Sequence, residues 1–125
     1  MKRLVFILVL ATALTGCRQS GQSSTPNPAV NIALEAATTT VGKTELMITL
    51  TDTSGEPVDA QEVEVRGDMT HAGMMPVLAD GDKAKTGVYV VPFEWTMSGD
   101  WVITVTATLT DGTRAEQRFD LSIGN

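Results

Sequence analysis

The sequence predicts an all-β fold in which two antiparallel sheets pack face to face. From residue 29 onward, apolar and polar residues alternate with a period of two, and many of the apolar residues are β-branched or aromatic. Turn-forming residues separate these runs at short intervals, and no helical periodicity follows the N-terminal segment. About seven short strands with this spacing are typical of a two-sheet sandwich around one core.

The first 16 residues have the organisation of a secretory signal peptide. Lys2 and Arg3 form its basic start, an uninterrupted apolar run covers 4–10, and small residues lead to Cys17. The Leu-Thr-Gly-Cys sequence at 14–17 resembles the lipobox of bacterial lipoproteins, in which the cysteine is diacylated and becomes the new N-terminus. We therefore expect a signal peptide over 1–16, a lipidated Cys17 with a polar, flexible tether over 17–28, and a folded domain over 29–125.

Lipidation at Cys17 would hold the domain at a bacterial membrane outside the cytoplasm, on the periplasmic side if the cell has an outer membrane. It would also consume the only cysteine, so we expect no disulfide within the chain. Without the leader's Lys2 and Arg3, 9 − 2 = 7 basic residues face 15 acidic ones, a formal charge of −8. This acidic balance argues against a nucleic-acid partner, which would require clustered Lys and Arg.

Three strands are predicted in the first half of the domain, over 30–34, 44–51 and 61–66. In the second strand Leu46, Ile48 and Leu50 alternate with outward residues, and the segment 52–57 is rich in turn formers.

The alternation of inward and outward residues in the third strand predicts which way the residues after it face. Val63 and Val65 face inward, and Gly67, Met69 and His71 share their parity. If the strand continues without a bulge at Gly67, Met69 and His71 lie at the mouth of the core.

In the second half, strands are predicted over 88–95 and 101–109, followed by a last strand that ends near Ile123. Tyr89, Phe93 and Trp95 share one face of the first of these, and Pro92 lacks an N–H donor, so we expect that strand at a sheet edge or bulged. Turns are expected at 80–83, 98–100 and 111–112. The order of strands and turns predicts an immunoglobulin-like sandwich without the Cys-Trp-Cys pattern of true immunoglobulin domains.

Soft metal ligands are concentrated after the third predicted strand. The run Asp-Met-Thr-His-Ala-Gly-Met-Met-Pro at 68–76 contains the only histidine and three of the six methionines. Thioether and imidazole groups suit Cu(I) better than Mg²⁺ or Ca²⁺. The candidate ligands are Met69, His71, Met74 and Met75, with Met97 as a further thioether from the turn before Trp101.

The order of motifs resembles the YtkA-like domain, which is related to the FixH-like proteins associated with respiratory oxidase assembly. The resemblance rests on the turn at 52–58, the Met/His run at 69–76, Gly-Val-Tyr at 87–89 and Met-Ser-Gly-Asp-Trp at 97–101, and it covers about 30–123. It implies a small extracytoplasmic β-sandwich with a link to copper or to oxidase assembly. Where FixH-like proteins retain a transmembrane helix, this chain has a lipobox.

Two other interpretations of the methionines are open at this stage. They could fill the end of the sandwich, with His71 as an exposed loop residue, because flexible thioethers fill irregular gaps well. They could also form an adaptable apolar surface through which a non-metal accessory module docks on a membrane oxidase or transporter. No enzyme is expected, because His71 with Asp68 would be the only acid–base pair and no nucleophile accompanies it. No small-molecule substrate is indicated.

Overall fold

The computed structural model describes residues 29–71 and 73–125, and this part of the chain is an all-β sandwich. It has eight strands: β1 (Val30–Ala36), β2 (Gly42–Asp52), β3 (Ala60–Met69), β4 (Val77–Asp80), β5 (Asp82–Lys85), β6 (Val88–Trp95), β7 (Gly99–Leu109) and β8 (Arg114–Ile123). Two four-stranded antiparallel sheets have the orders β1-β2-β6-β5 and β4-β3-β7-β8. The predicted fold class is confirmed. The predicted signal peptide, Cys17 and the tether lie outside the described residues.

The alternating patterns place the core where the sequence predicts it. In β2, Leu46, Ile48 and Leu50 are fully buried while their neighbours face outward. In β7 every second residue from Trp101 to Leu109 is buried. Burial of such apolar side chains is the main stabilising contribution to a sandwich of this kind. Within the described residues, no helix is long and apolar enough to cross a membrane.

The inward parity of β3 continues to its last residue. Val63, Val65, Gly67 and Met69 are all buried, and each pairs with a residue of β7 in unbroken register. The register shift in β3 lies at its start, between Ala60 and Glu62, and not at Gly67.

The expected turn at 80–83 is wrong, because the chain there passes from one sheet to the other. β4 pairs with β3, β5 pairs with β6, and Gly81 alone separates them. The Gly81 N–H donates to the Val63 carbonyl at 2.8 Å, and a Cβ at this position would lie 3.1 Å from Val91 Cγ2. A glycine therefore fits where the crossing passes close to the core. With the six strands that the sequence located, these two short strands give eight, against the expected count of about seven.

Pro92 lies in an internal strand, since β6 has β2 on one side and β5 on the other. The expectation of an edge strand is therefore wrong, and β6 is not bulged at Pro92 either, since it pairs with β2 in unbroken register. However, β5 pairs only with Val88, Tyr89 and Val90, so Pro92 lies beyond the end of β5. The missing N–H is tolerated because β6 has no strand partner on that side there.

One end of the sandwich is joined by a polar network. The Asp59 carboxylate accepts hydrogen bonds from Lys83 Nζ at 2.9 Å and from the Gly87 N–H at 3.0 Å, and these bonds lower its pKa. The Tyr89 hydroxyl donates to the Ala60 carbonyl at 2.9 Å and accepts from the Ala60 N–H at 2.8 Å. The chain also enters the domain at this end.

Candidate functional site

Met69 is the last residue of β3 and lies opposite Trp101 of β7. Its side chain is 9% exposed, and its Cε atom would be 3.2 Å from a Cβ placed on Gly99. The thioether therefore covers the start of β7 from inside the sandwich. This inward position is the one that the parity of β3 predicts.

The pairing of Met69 with Trp101 brings the loop after β3 and the turn before β7 to the same end of the molecule. The Thr70 N–H donates to the Asp100 carbonyl at 3.2 Å, and Trp101 Nε1–H donates to the Met97 carbonyl at 3.0 Å. The loop 70–76 and the turn 96–98 thus lie beside each other, opposite the end where the chain enters. We call this region the Met/His end, and its residues are Met69, His71, Met74, Met75 and Met97.

The candidate ligands of the Met/His end differ sharply in exposure. Met75 is 84% exposed, Met97 45% and Met74 37%, in contrast to the buried Met69. His71 is exposed as well. The expectation that His71 lies at the mouth of the core is wrong, because strand pairing stops at Met69 and the next residues leave the sheet as a loop.

Below the Met/His end, three aromatic rings pack edge to face. The ring centroids of Phe93 and Trp95 are 4.9 Å apart, those of Trp95 and Trp101 5.4 Å, and those of Phe93 and Trp101 6.2 Å. Such pairs contribute stabilisation beyond the area they bury. Trp95 Nε1–H donates to the Thr38 carbonyl at 2.9 Å, so its polar atom is satisfied. We call these three rings the aromatic floor.

Gly67 lies against the aromatic floor. A Cβ at Gly67 would be 2.6 Å from Phe93 Cζ and 3.2 Å from Trp101 Cε3. The backbone of β3 and the ring of Phe93 can approach this closely only because position 67 has no side chain.

Asp68, the acidic residue at the start of the run, forms an ion pair with Arg66. Arg66 donates to the Asp68 carboxylate through Nε at 2.8 Å and through Nη2 at 3.0 Å, and this interaction raises the pKa of Arg66. Both side chains are largely exposed, so the pair contributes little to stability. The Asp68 carboxylate is therefore engaged by Arg66, and no hydrogen bond between it and His71 is seen among the described residues.

The fold also brings together groups that sequence analysis missed. Carboxylate oxygens of Glu62, Glu64 and Asp80 lie within 4.8 Å of one another on the exposed face of β3 and β4. The alternation of Glu62 and Glu64 was visible in the sequence, but the contribution of Asp80 depends on the unpredicted pairing of β4 with β3.

A groove of about 710 Å³ lies between the sheets, beside the Met/His end. Its lining combines apolar side chains of β4 and β6 with charged residues of β2, and Leu78 within this lining is 71% exposed. The lining residues are Ala37, Thr38, Lys43, Thr44, Glu45, Val77, Leu78, Ala79, Pro92, Phe93 and Glu94. No single sequence run predicts this groove, because it depends on where β5 ends.

The family model described as YtkA-like matches residues 27–106, which are 80 of the 125 residues. The match includes the Met/His run and the turn before β7, whereas the sandwich continues to the end of β8 at Ile123. No curated protein matches the chain.

The chain is similar to two solved structures. An engineered protein determined at 1.98 Å is 14% identical, with a TM-score of 0.53 over 74% of this chain and 20% of its own. MtrC from Shewanella baltica OS185 is 16% identical, with a TM-score of 0.49 over 77% of this chain and 22% of its own. The chain thus spans about a fifth of the length of each structure. At such low identity, the engineered protein supports the fold alone.

Proposed function

Because the chain belongs to the YtkA-like family, we propose that it is an extracytoplasmic lipoprotein whose Met/His end binds one Cu(I) ion, in copper handling or respiratory oxidase assembly. The observation that carries this proposal is the exposure of three thioethers and the single imidazole at one end of the sandwich. A single exposed apolar side chain is ordinary, but exposed apolar side chains grouped on one surface mark binding sites, and Met75 at 84% exposed contributes almost nothing to packing.

The donor chemistry of this end fits Cu(I). Thioethers are soft and neutral, and a neutral imidazole completes a ligand set that selects Cu(I) over Mg²⁺ or Ca²⁺. Met74, Met75, Met97 and His71 are the residues that would hold the ion as cargo, and all four are available without disturbing the core. Met69, from below, would contribute a fifth donor or a packing surface.

The site is tested by competition of the purified protein against a Cu(I) chelator under anaerobic conditions. We expect one equivalent of Cu(I), and Met75→Leu and His71→Ala should each weaken binding by at least about tenfold, since even outer-shell changes cost about 10- to 100-fold in metal affinity. Met47→Leu is the matched control, because Met47 is 46% exposed but lies on the outer face of β2. Binding no tighter than about 1 µM in the wild type, or equal effects of the Met47 and Met75 substitutions, would refute the copper proposal.

Anchoring through Cys17 is supported by the Leu-Thr-Gly-Cys sequence that follows the apolar leader. Cells that produce the wild type should incorporate an acyl-chain probe into the protein, and cells that produce Cys17→Ser should not. Equal labelling of both proteins, or of neither, would exclude lipidation at this residue.

With this anchor, the Met/His end would be the far end of the domain. Val30 pairs with Asp52, at the end opposite the Met69–Trp101 pair. An 11-residue strand such as β2 is about 35 Å long. The 12 residues from Cys17 to Pro28 span at most about 43 Å when fully extended. Because this tether is longer than the domain, the Met/His end can reach a partner in the aqueous phase as well as one in the anchoring bilayer.

The groove beside the Met/His end favours a second candidate function, an accessory module that docks on a membrane oxidase or transporter. Exposed Leu78, together with Met74 and Met75, offers an adaptable apolar surface. Leu78→Glu tests the docking function without touching the metal ligands. If the chain is a docking module, this substitution should abolish in-cell crosslinks formed from the groove and leave Cu(I) affinity unchanged, and crosslinks that persist would refute docking through the groove.

A further inference from the structure

The five methionines of the described residues fall into three groups by exposure and position. Met74, Met75 and Met97 are the exposed methionines of the Met/His end, Met69 is its buried methionine, and Met47 is exposed on the outer face of β2. A methionine is oxidised more readily when its sulfur is accessible to the oxidant. The exposed methionines of the Met/His end are therefore open to oxidation, whereas Met69, a few residues away, is protected.

We propose that the Met/His end is also a methionine-oxidation switch, in which a peroxide converts Met74, Met75 and Met97 to sulfoxides and thereby stops Cu(I) binding. The proposal rests on the copper function above. In each step the thioether sulfur attacks one oxygen of hydrogen peroxide, an S–O bond forms and the O–O bond breaks. The departing hydroxide takes up the remaining proton and leaves as water. The sulfur loses two electrons, and the peroxide gains them.

The chemical consequence follows from the change of ligand. A sulfoxide presents a hard oxygen to the metal in place of a soft thioether, and Cu(I) selects the soft ligand. Three of the candidate donors would change in this way, whereas Met69 and His71 would not. The remaining pair is a smaller donor set.

The fold should survive oxidation because the vulnerable side chains contribute little to the core. The aromatic floor and Met69 close this end from below, and Met69 is shielded by Gly99 and the start of β7. The added oxygen on Met75 would lie in solvent. Exposed sulfoxides are also accessible to methionine sulfoxide reductases, which makes the change reversible.

The experiment treats the full-length protein with graded hydrogen peroxide and locates sulfoxides by peptide mass spectrometry. If rate scales with exposed fraction, Met75 at 84% should oxidise about ninefold faster than Met69 at 9%, with Met47, Met74 and Met97 between them. The affinity for a soft metal ion is then measured with Ag(I) in a chloride-free buffer. Ag(I) takes the place of Cu(I) here because, unlike Cu(I), it is not oxidised by residual peroxide. Oxidation should weaken Ag(I) binding by at least about tenfold, and treatment with sulfoxide reductases should restore it.

Met47→Leu is the matched control and should switch as the wild type does. Three results would overturn the proposal: Met69 oxidises as fast as Met75; Ag(I) affinity is unchanged once Met74 and Met75 are sulfoxides; or circular dichroism shows that the oxidised protein has unfolded. The first and third results would leave the copper function intact, whereas the second would also show that the Met74 and Met75 thioethers are not the metal ligands. If the untreated protein binds neither Ag(I) nor Cu(I), the copper function fails and the switch fails with it, whatever the order of oxidation.

Discussion

Replacement of Gly67 by alanine tests how the aromatic floor is packed. The new Cβ would lie 2.6 Å from Phe93 Cζ and 3.2 Å from both Ile103 Cδ1 and Trp101 Cε3, in a region where Phe93, Trp101 and Ile103 are almost fully buried. Overpacking of this kind costs about 1–3 kcal/mol, and the intrinsic advantage of alanine over glycine in a strand returns about 0.5–1 kcal/mol. We expect Gly67→Ala to lower the free energy of unfolding by about 1–2 kcal/mol.

Thermal unfolding followed by near-ultraviolet circular dichroism measures this effect and also reports the two tryptophans. For a domain of this size, the expected change corresponds to a fall in Tm of about 4 to 16 °C. Gly124→Ala is the control, because its Cβ would have no neighbour closer than the Thr39 carbonyl oxygen at 3.9 Å. Its effect should stay within about 0.5 kcal/mol.

A double substitution identifies the clash with Phe93 as the cause. Shortening the ring in Phe93→Leu should remove the contact with the new methyl group, so Gly67→Ala should cost less in that background, with a coupling of about 0.5–3 kcal/mol. If Gly67→Ala is as stable as the wild type, or if its cost is the same in both backgrounds, β3 does not approach Phe93 as closely in solution as it does in this structure.

Two further predictions concern the core and the acid limit of stability. Ile103→Ala should cost about 2–5 kcal/mol, because Ile103 is fully buried, whereas Thr104→Ala on the outer face should cost far less; equal losses in denaturant melts would mean that the register of β7 is wrong. The hydrogen bonds from Lys83 and Gly87 lower the pKa of Asp59 below its ordinary value of 3.8, so they stabilise the fold above that value, and this contribution is lost as the pH falls through the folded pKa. In Asp59→Asn, the free energy of unfolding should therefore fall less steeply at acid pH than in the wild type. An unchanged fall would mean that the bonds of Asp59 do not contribute to the loss of stability in acid.

The fold was predictable where strands are buried on one face. The patterns of β2 and β7 alternate because one face packs on the core and the other meets solvent. The period of two in the sequence therefore predicts which residues are buried. The pattern of β5 carries no such signal, because all four of its residues are exposed. Gly81 between β4 and β5 is typical of a turn by composition, and its role as a crossing between sheets depends on partners distant in sequence.

The candidate site was predictable up to the point where the sheet ends. The burial of Met69 follows from the parity of β3, because the strand remains paired with β7 to that residue. Parity has no meaning for His71, which follows the last paired residue and lies in a loop. Which methionines are exposed also depends on tertiary packing, since the loop 70–76 and the turn before β7 come together through the pairing of Met69 with Trp101 and the hydrogen bond from the Thr70 N–H to the Asp100 carbonyl.

The aromatic floor separates the interpretations of the methionines. Phe93, Trp95, Trp101 and Met69 already close this end of the sandwich with buried side chains. Packing therefore accounts for Met69, but it does not account for three more thioethers whose burial is small or partial. A polar side chain at position 75 would serve the fold as well, because burying so little apolar area yields little hydrophobic stabilisation. The exposed thioethers and His71 are thus the residues that a binding function must explain.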